Sequence, residues 1–122
     1  MRNGMLRMRS ALAAALVTFI GFSQAPEVGE DAPSFELQAW ALLSKGEKEP
    51  APESLKGKVV LLEFWGTWCG PCVRAMPRIQ ALHDRFKNRG LKVLGISYEG
   101  LDVTKPFCEK NGFTFTLGSD PA

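Results

Sequence analysis

The sequence contains very little histidine: His83 is the only one in 122 residues. It lies 11 residues beyond Cys72 on one predicted helix, so the helical rise alone separates the two residues by about 16 Å. A catalytic Cys–His pair needs hydrogen-bonding distance, about 2.6–3.2 Å. A zinc site built on Cys69, Cys72 and Cys108 would likewise lack its fourth ligand. We therefore exclude both kinds of site and predict that His83 is a surface residue of the helix.

A strong positive charge is also absent. The formal net charge is +2, and three of the 15 basic residues, Arg2, Arg7 and Arg9, stand near the N-terminus. Beyond residue 25 the chain carries 12 basic and 13 acidic residues. Proteins that bind nucleic acid usually present a basic surface, so we expect no nucleic-acid partner.

The chain has no apolar run as long as the ~20 residues that a membrane-spanning helix needs. Ala11–Phe22 is a 12-residue stretch interrupted only by Thr18 and Gly21. Arginines precede it and Ser23-Gln24-Ala25 follows, which is the order of a signal peptide. We predict that residues 1–25 are a signal peptide, or an N-terminal anchor if uncleaved; the alternative is a buried helix. The folded domain would be residues 26–122, in a periplasmic or other extracytoplasmic location.

The stretch Val59–Cys72 organises the rest of the chain. Val59–Trp65 is apolar apart from Glu63, which predicts a strand covered on both faces. A turn containing Gly66 follows, and a helical pattern begins near Cys72. The sequence therefore predicts a strand that leads through a short turn into a helix.

Cys69 and Cys72 lie at this strand-to-helix turn. Residues three apart on a helix have Cβ atoms about 5–6 Å apart, and a disulfide needs about 3.5–4.5 Å, so a small adjustment closes the bond. A thiol at a helix N-terminus ionises more readily than a free thiol, because the unpaired N–H groups stabilise the thiolate. Pro71 is tolerated in a first helical turn. This pattern favours a redox dithiol over a static structural disulfide or a pair of buried thiols.

The motif Trp68-Cys69-Gly70-Pro71-Cys72 after an apolar strand resembles the active site of the thioredoxin superfamily. The flanking stretches Val28–Leu37 and Ser54–Val60 resemble its exported, TlpA-like redoxin branch. The resemblance runs from about residue 28 to residue 120. It implies an α/β thioredoxin-like fold, in which a βαβ core carries an N-terminal hairpin extension.

The position of the two cysteines predicts different roles for them. Cys69, nearer the turn, is the predicted nucleophile, and Cys72, one turn into the helix, is the predicted resolving thiol. Trp68 would screen the site, while Gly70 and Pro71 would set its redox poise. The alternative role of these three residues is turn geometry alone.

The resemblance implies an enzyme, an exported thiol–disulfide oxidoreductase that reduces protein disulfides. Its partners would be exported proteins such as apocytochrome c, with a membrane electron donor for re-reduction. No cofactor beyond the Cys69–Cys72 disulfide and no metal are expected. The alternatives are a carrier of a soft metal such as Cu(I), held between two thiolates, and an inactive truncated fragment. A peroxidase is disfavoured, because Gly66 stands where peroxiredoxins have a Thr or Ser, three residues before the nucleophile.

Two further residues carry predictions of their own. Glu63 lies six residues before Cys69, where thioredoxins often carry a buried acid. Burial in an apolar strand would favour its protonated form, which suits a proton relay to Cys72. The alternative is a carboxylate that reaches solvent or a lysine at the sheet edge. Cys108, the odd cysteine, is predicted to be a small buried hydrophobe and not a third redox thiol.

The remaining pattern predicts the other elements in outline. The predicted strands cover residues 35–37, 92–97 and 113–117, and the predicted helices run from Cys72 to Phe86, with a kink at Pro77, and from Asp102 to Lys110. The second helix would begin near Asp102 or Thr104, with Pro106 in its first turn. The thioredoxin fold continues with an antiparallel hairpin and a closing helix. We expect both to be missing here, which would leave an exposed sheet edge.

Overall fold

The computed structural model describes residues 27–33, 35–42 and 46–121, so the predicted signal peptide lies outside the described residues. The strands are β1 (Ala39–Ala41), β2 (Val59–Phe64), β3 (Leu91–Ser97) and β4 (Thr116–Ser119). The helices are α1 (Pro52–Leu55), α2 (Gly70–Phe86) and α3 (Leu101–Asn111). Within these ranges we find no helix with the length and apolar character required to cross a membrane.

The strands form one mixed sheet in the order β1-β4-β3-β2. β2 and β3 are parallel, as are β3 and β4, and β1 is antiparallel to β4. The predicted βαβ unit is therefore present as β2–α2–β3, and α3 connects β3 to β4 in the same way. β2 is an edge strand of this sheet among the described residues.

The N-terminal segment differs from the prediction. Among the described residues it forms no hairpin of its own, since its strand β1 pairs with β4 and not with a neighbour in sequence. The strand also begins at Ala39, beyond the predicted 35–37. The Leu37 side chain lies against Gly118 of β4, where a Cβ would collide with it and would contact Trp40. Leu37 therefore packs on β4 from just outside the β1–β4 ladder.

The core lies between one face of the sheet and the helices α2 and α3. Its buried members are Trp65, Met76, Ile79, Val93, Cys108, Phe113, Phe115 and Leu117. The prediction that β2 is covered on both faces was wrong, because Leu62 is 48% exposed and Phe64 is 71% exposed. Side chains alternate along a strand, and in the described part of the chain both long helices pack on the opposite face.

The helices end as the sequence predicts, but α3 begins earlier. Gly90, which follows a short 3₁₀ turn after α2, has φ 94° and terminates that segment, as Gly112 with φ 74° terminates α3. Gly100 is the N-cap of α3, so Pro106 is its sixth residue and does not lie in the first turn. Thr104 is buried inside the helix, where its hydroxyl donates to the Gly100 carbonyl at 3.2 Å.

His83 is less exposed than predicted. Its ring meets the Phe115 ring edge-on, with 6.4 Å between centroids, and its Nδ1 is buried with no hydrogen-bond partner among the described residues. Burial, followed by the positive charge of Lys87, lowers the pKa of His83 below its ordinary value of 6.5. His83 is therefore a partly exposed residue of α2 whose ring also contacts the core at Phe115.

This environment predicts a pH dependence of stability. Because the folded-state pKa of His83 lies below its unfolded value, its contribution is present above about pH 6.5 and is lost as the pH falls. We expect the melting temperature to decrease between about pH 7.5 and pH 5.5, and a His83→Gln variant to show a smaller decrease. Thermal unfolding followed by circular dichroism at both pH values would measure this, and equal decreases in the two proteins would contradict it.

Candidate active site

Cys69 occupies the N-cap position of α2. Its carbonyl accepts the first helical hydrogen bond from the Val73 N–H at 2.9 Å, and its Sγ accepts from the Cys72 N–H at 3.3 Å. The sulfur thus takes the place that a serine or aspartate oxygen usually holds at a helix start. Gly70 and Pro71 are the first two helical residues. N–H groups in this turn have no partner within the helix, so proline, which lacks an N–H, costs no helical hydrogen bond there.

Cys69 and Cys72 form a disulfide, with Cα atoms 5.3 Å apart. The structure therefore brings together the two sulfurs that the sequence singled out. Both residues are partly exposed, but Cys72 packs against the buried core cluster, whose members do not include Cys69. Cys72 is thus the cysteine of the pair that contacts the core cluster.

An open cavity of about 290 Å³ lies beside the disulfide. Its lining, besides the two cysteines, consists of Phe64, Trp65, Gly66, Trp68, Ile96, Ser97, Tyr98 and Asp120. Trp68 and Tyr98 are 65% and 57% exposed, and their ring centroids are 5.9 Å apart. Large aromatic surfaces at a site of this kind are suited to contact with another molecule.

Gly66 is required by the crowding at this turn. A Cβ at this position would collide with Trp68 Nε1 and would lie 3.1 Å from Glu99 Oε2. The Cys69 N–H donates to the Gly66 carbonyl at 3.0 Å, which closes the turn before α2. The glycine predicted from the turn pattern therefore also leaves room for Trp68.

Sequence reasoning missed three residues at the site: Thr67, Tyr98 and Glu99. Glu99 Oε2 accepts from the Thr67 N–H at 2.6 Å, and Glu99 Oε1 accepts from the Thr67 hydroxyl at 2.7 Å. A signal for them existed. Tyr98 and Glu99 directly follow β3, and Thr67 follows the end of the parallel strand β2 by three residues. The carboxyl ends of parallel strands meet at one edge of a sheet, so residues in these positions lie close together.

Glu63 lies on β2 opposite Gly95 of β3 and is partly buried. The alternation of side chains places it on the same face as Leu61, which packs against the core cluster that Cys72 also touches. Glu63 is not among the residues lining the cavity. Its position is compatible with the interior side of the disulfide.

Cys108 is fully buried and free, on α3 within the core cluster. Burial, with a smaller contribution from Glu109, raises the pKa of the Cys108 thiol to about 12. The prediction of a buried, hydrophobic cysteine is confirmed.

Comparison with known proteins places this geometry in a family. The model of the AhpC/TSA family matches residues 28–122. The chain belongs to the AhpC/TSA family. As a member, it is a thioredoxin-superfamily redoxin of the TlpA-like kind, which confirms the resemblance carried by the Trp68–Cys72 motif.

The relatives of this AhpC/TSA protein include several oxidoreductases. The thiol-disulfide oxidoreductase ResA of Geobacillus kaustophilus (strain HTA426) is 35% identical over 126 residues, covering 94% of this chain and 69% of the relative. ResA of Bacillus thuringiensis (strain Al Hakam) is 30% identical over 103 residues, covering 84% of this chain and 57% of the relative. The chain thus spans little more than half the length of the latter.

The fold has a close counterpart among solved structures. A solution structure from Bacteroides thetaiotaomicron, of a protein proposed to be a disulfide isomerase, matches with a TM-score of 0.64 and 34% identity. The match covers 79% of this chain and 59% of that one. The predicted thioredoxin-like α/β fold is confirmed.

The three thiols of the reduced protein should differ in reactivity. At about pH 8 we expect iodoacetamide to modify Cys69 and Cys72 in the folded chain and to leave Cys108 unmodified, because so high a pKa leaves almost no thiolate. Peptide mass spectrometry would measure this, and unfolding in guanidinium should expose Cys108. Equal labelling of Cys108 and Cys69 in folded protein would contradict the assignment.

Proposed function

We propose that this chain carries the redox centre of a thiol–disulfide oxidoreductase that reduces disulfides in proteins. The observation that carries the proposal is the Cys72 N–H donating to Cys69 Sγ at the first turn of α2. A helix start stabilises negative charge, so the same N–H would hold the Cys69 thiolate after reduction. The names of the ResA relatives support the same chemistry.

The reaction we propose has two exchanges. The Cys69 thiolate attacks one sulfur of the substrate disulfide; that S–S bond breaks, a mixed disulfide forms, and the released substrate thiolate takes a proton. The Cys72 thiolate then attacks the Cys69 sulfur, which frees the second substrate thiol and forms the Cys69–Cys72 disulfide. Two electrons pass to the substrate, and no cofactor takes part. The disulfide in the structure is the product state of this cycle.

The different surroundings of the cysteines support their proposed roles. Both cysteines line the cavity from which a substrate sulfur can approach, and Cys72 also packs against the core cluster. Trp68 lines the cavity through which a substrate would reach the disulfide. Gly70 and Pro71 form the first turn of α2, which positions the sulfurs of both cysteines. We assign attack to Cys69 and resolution to Cys72.

We propose that the substrates are proteins. Phe64, Trp68 and Tyr98 present exposed aromatic surface around the disulfide, which suits the apolar side chains of a polypeptide. The signal-like pattern of residues 1–25 supports export, and an oxidising compartment would supply disulfide-bearing partners. We propose exported proteins such as apocytochrome c as substrates, and a membrane electron donor for re-reduction.

The cysteine roles predict which variant traps substrate. Cys72→Ser should accumulate a covalent complex with a disulfide-bearing protein such as insulin, because the mixed disulfide cannot be resolved. Cys69→Ser should form none, since it lacks the attacking thiol. Non-reducing gel electrophoresis would detect the complex.

A matched control and a metal-free assay complete this test. Cys108→Ala should reduce insulin as the parent protein does, since its thiol is fully buried and takes no part in the proposed exchanges. Reduction of insulin in the presence of a chelator would distinguish an oxidoreductase from a Cu(I) carrier. Equal trapping by Cys69→Ser and Cys72→Ser would refute the roles, and an inactive metal-free protein would refute the reaction.

We also propose that Glu63 relays a proton to or from Cys72. Proton transfer from a positioned side chain typically contributes about 10²–10⁴-fold, so Glu63→Gln should slow resolution of the mixed disulfide by ten-fold or more. Rapid-quench measurement of a single turnover would give this rate. The rate of Cys69 alkylation should be unaffected by Glu63→Gln and serves as an internal control. The exposed Glu53→Gln is the matched control. A Glu63→Gln variant that resolves at the parent rate would remove Glu63 from the mechanism.

A further inference from the structure

The loop between β3 and α3 is fixed to the ends of two strands. The Glu99 N–H donates to Ser97 Oγ at 3.1 Å, and Ser119 Oγ donates to the Glu99 carbonyl at 3.0 Å. Ser97 and Ser119 are buried and lie opposite each other in the β3–β4 register. The backbone of Glu99 is therefore held in a defined place at the carboxyl edge of the sheet.

From this place the Glu99 side chain holds the turn before α2. Both of its carboxylate oxygens accept hydrogen bonds from Thr67, at 2.6 Å from the N–H and 2.7 Å from the hydroxyl. Hydrogen bonds to a charged acceptor are stronger than neutral ones, and two of them fix direction as well as distance. Thr67 is two residues before Cys69, and the intervening Trp68 packs on Tyr98, the neighbour of Glu99.

The need for this contact arises when the disulfide opens. In the oxidised chain, the bond to Cys72 fixes the Cys69 sulfur at the start of α2. Reduction removes that restraint, and the sulfur then depends on the turn of residues 66–68 for its place. We propose that Glu99 is a positioning residue that acts through Thr67 and keeps the reduced Cys69 sulfur within reach of the Cys72 N–H. This inference rests on the proposed function and adds a residue to it.

A carboxylate could also act on Cys69 through its charge, and the two effects have opposite signs. Loss of a nearby negative charge makes a thiol ionise more readily. Loss of positioning makes it ionise less readily, because the sulfur leaves the helix N-terminus. Glu99→Ala removes both the charge and the acceptors. Glu99→Gln removes the charge alone, since its amide oxygen can accept the Thr67 N–H and its NH₂ can donate to the Thr67 hydroxyl.

The experiment measures the pH profile of Cys69 alkylation by iodoacetamide in full-length, reduced protein. All variants carry Cys72→Ser, so that Cys69 is the one accessible thiol of the pair and the residue 72 N–H is retained. Glu99→Ala and Glu99→Gln are compared with the parent. Glu109→Ala is the matched control, because it removes an exposed carboxylate that is paired with Lys105. Thermal melts of the same samples report folding.

We expect Glu99→Ala to shift the profile to higher pH and to slow alkylation at about pH 6.5 by about five-fold, the factor that loss of one N-cap hydrogen bond represents. Glu99→Gln and Glu109→Ala should stay within about two-fold of the parent. A Glu99→Ala profile that matches the parent, or one that moves to lower pH together with Glu99→Gln, would overturn the proposal. If Glu99→Ala does not fold, Thr67→Val decides: it loses only the hydroxyl bond, and an unshifted profile would overturn the proposal equally.

This test is independent of turnover. Alkylation requires only the Cys69 thiolate, whereas insulin reduction by the unmodified chain tests the proposed reaction. A chain that fails to reduce insulin but shows the Glu99→Ala shift would refute the function and retain the positioning role. A chain that reduces insulin but shows no Glu99→Ala shift would support the function and refute the positioning role.

Discussion

The hydrogen bond from the Cys72 N–H to Cys69 Sγ is the interaction on which the site depends. It exists because Cys69 stands at the N-cap of α2, where backbone N–H groups have no carbonyl partners within the helix. A sulfur is a weak acceptor when it is neutral and a much better one when it is an anion. The helix start therefore favours the reduced, ionised form of the site more than it favours the disulfide.

The parallel sheet supplies the framework that places this helix start. β2 and β3 are adjacent and parallel, so the turn after β2 and the loop after β3 emerge at the same edge. Glu99 holds Thr67 and Tyr98 packs on Trp68 across this edge. Two loops that are about 30 residues apart in sequence are therefore joined beside the disulfide.

The sequence allowed prediction of features whose cause is local. The run Val59–Trp65, the proline in the first helical turn and the spacing of Cys69 and Cys72 each depend on neighbours a few residues away, and these predictions agree with the structure. The pairing of β1 with β4 and the exposed outer face of β2 depend on packing between distant segments, which a local pattern does not encode. Glu99 was missed for the same reason, because its partner Thr67 is 32 residues away.

The burial of Cys108 has a consequence for oxidative folding. Three cysteines allow three different single disulfides, and only one of them joins Cys69 to Cys72. That pair closes a loop with a sequence separation of three, whereas pairing with Cys108 would close loops of 36 or 39 residues at a greater entropic cost. Once α3 has packed, Cys108 is also sealed from oxidants. The short loop and the burial of Cys108 thus both favour the Cys69–Cys72 bond over the two alternatives.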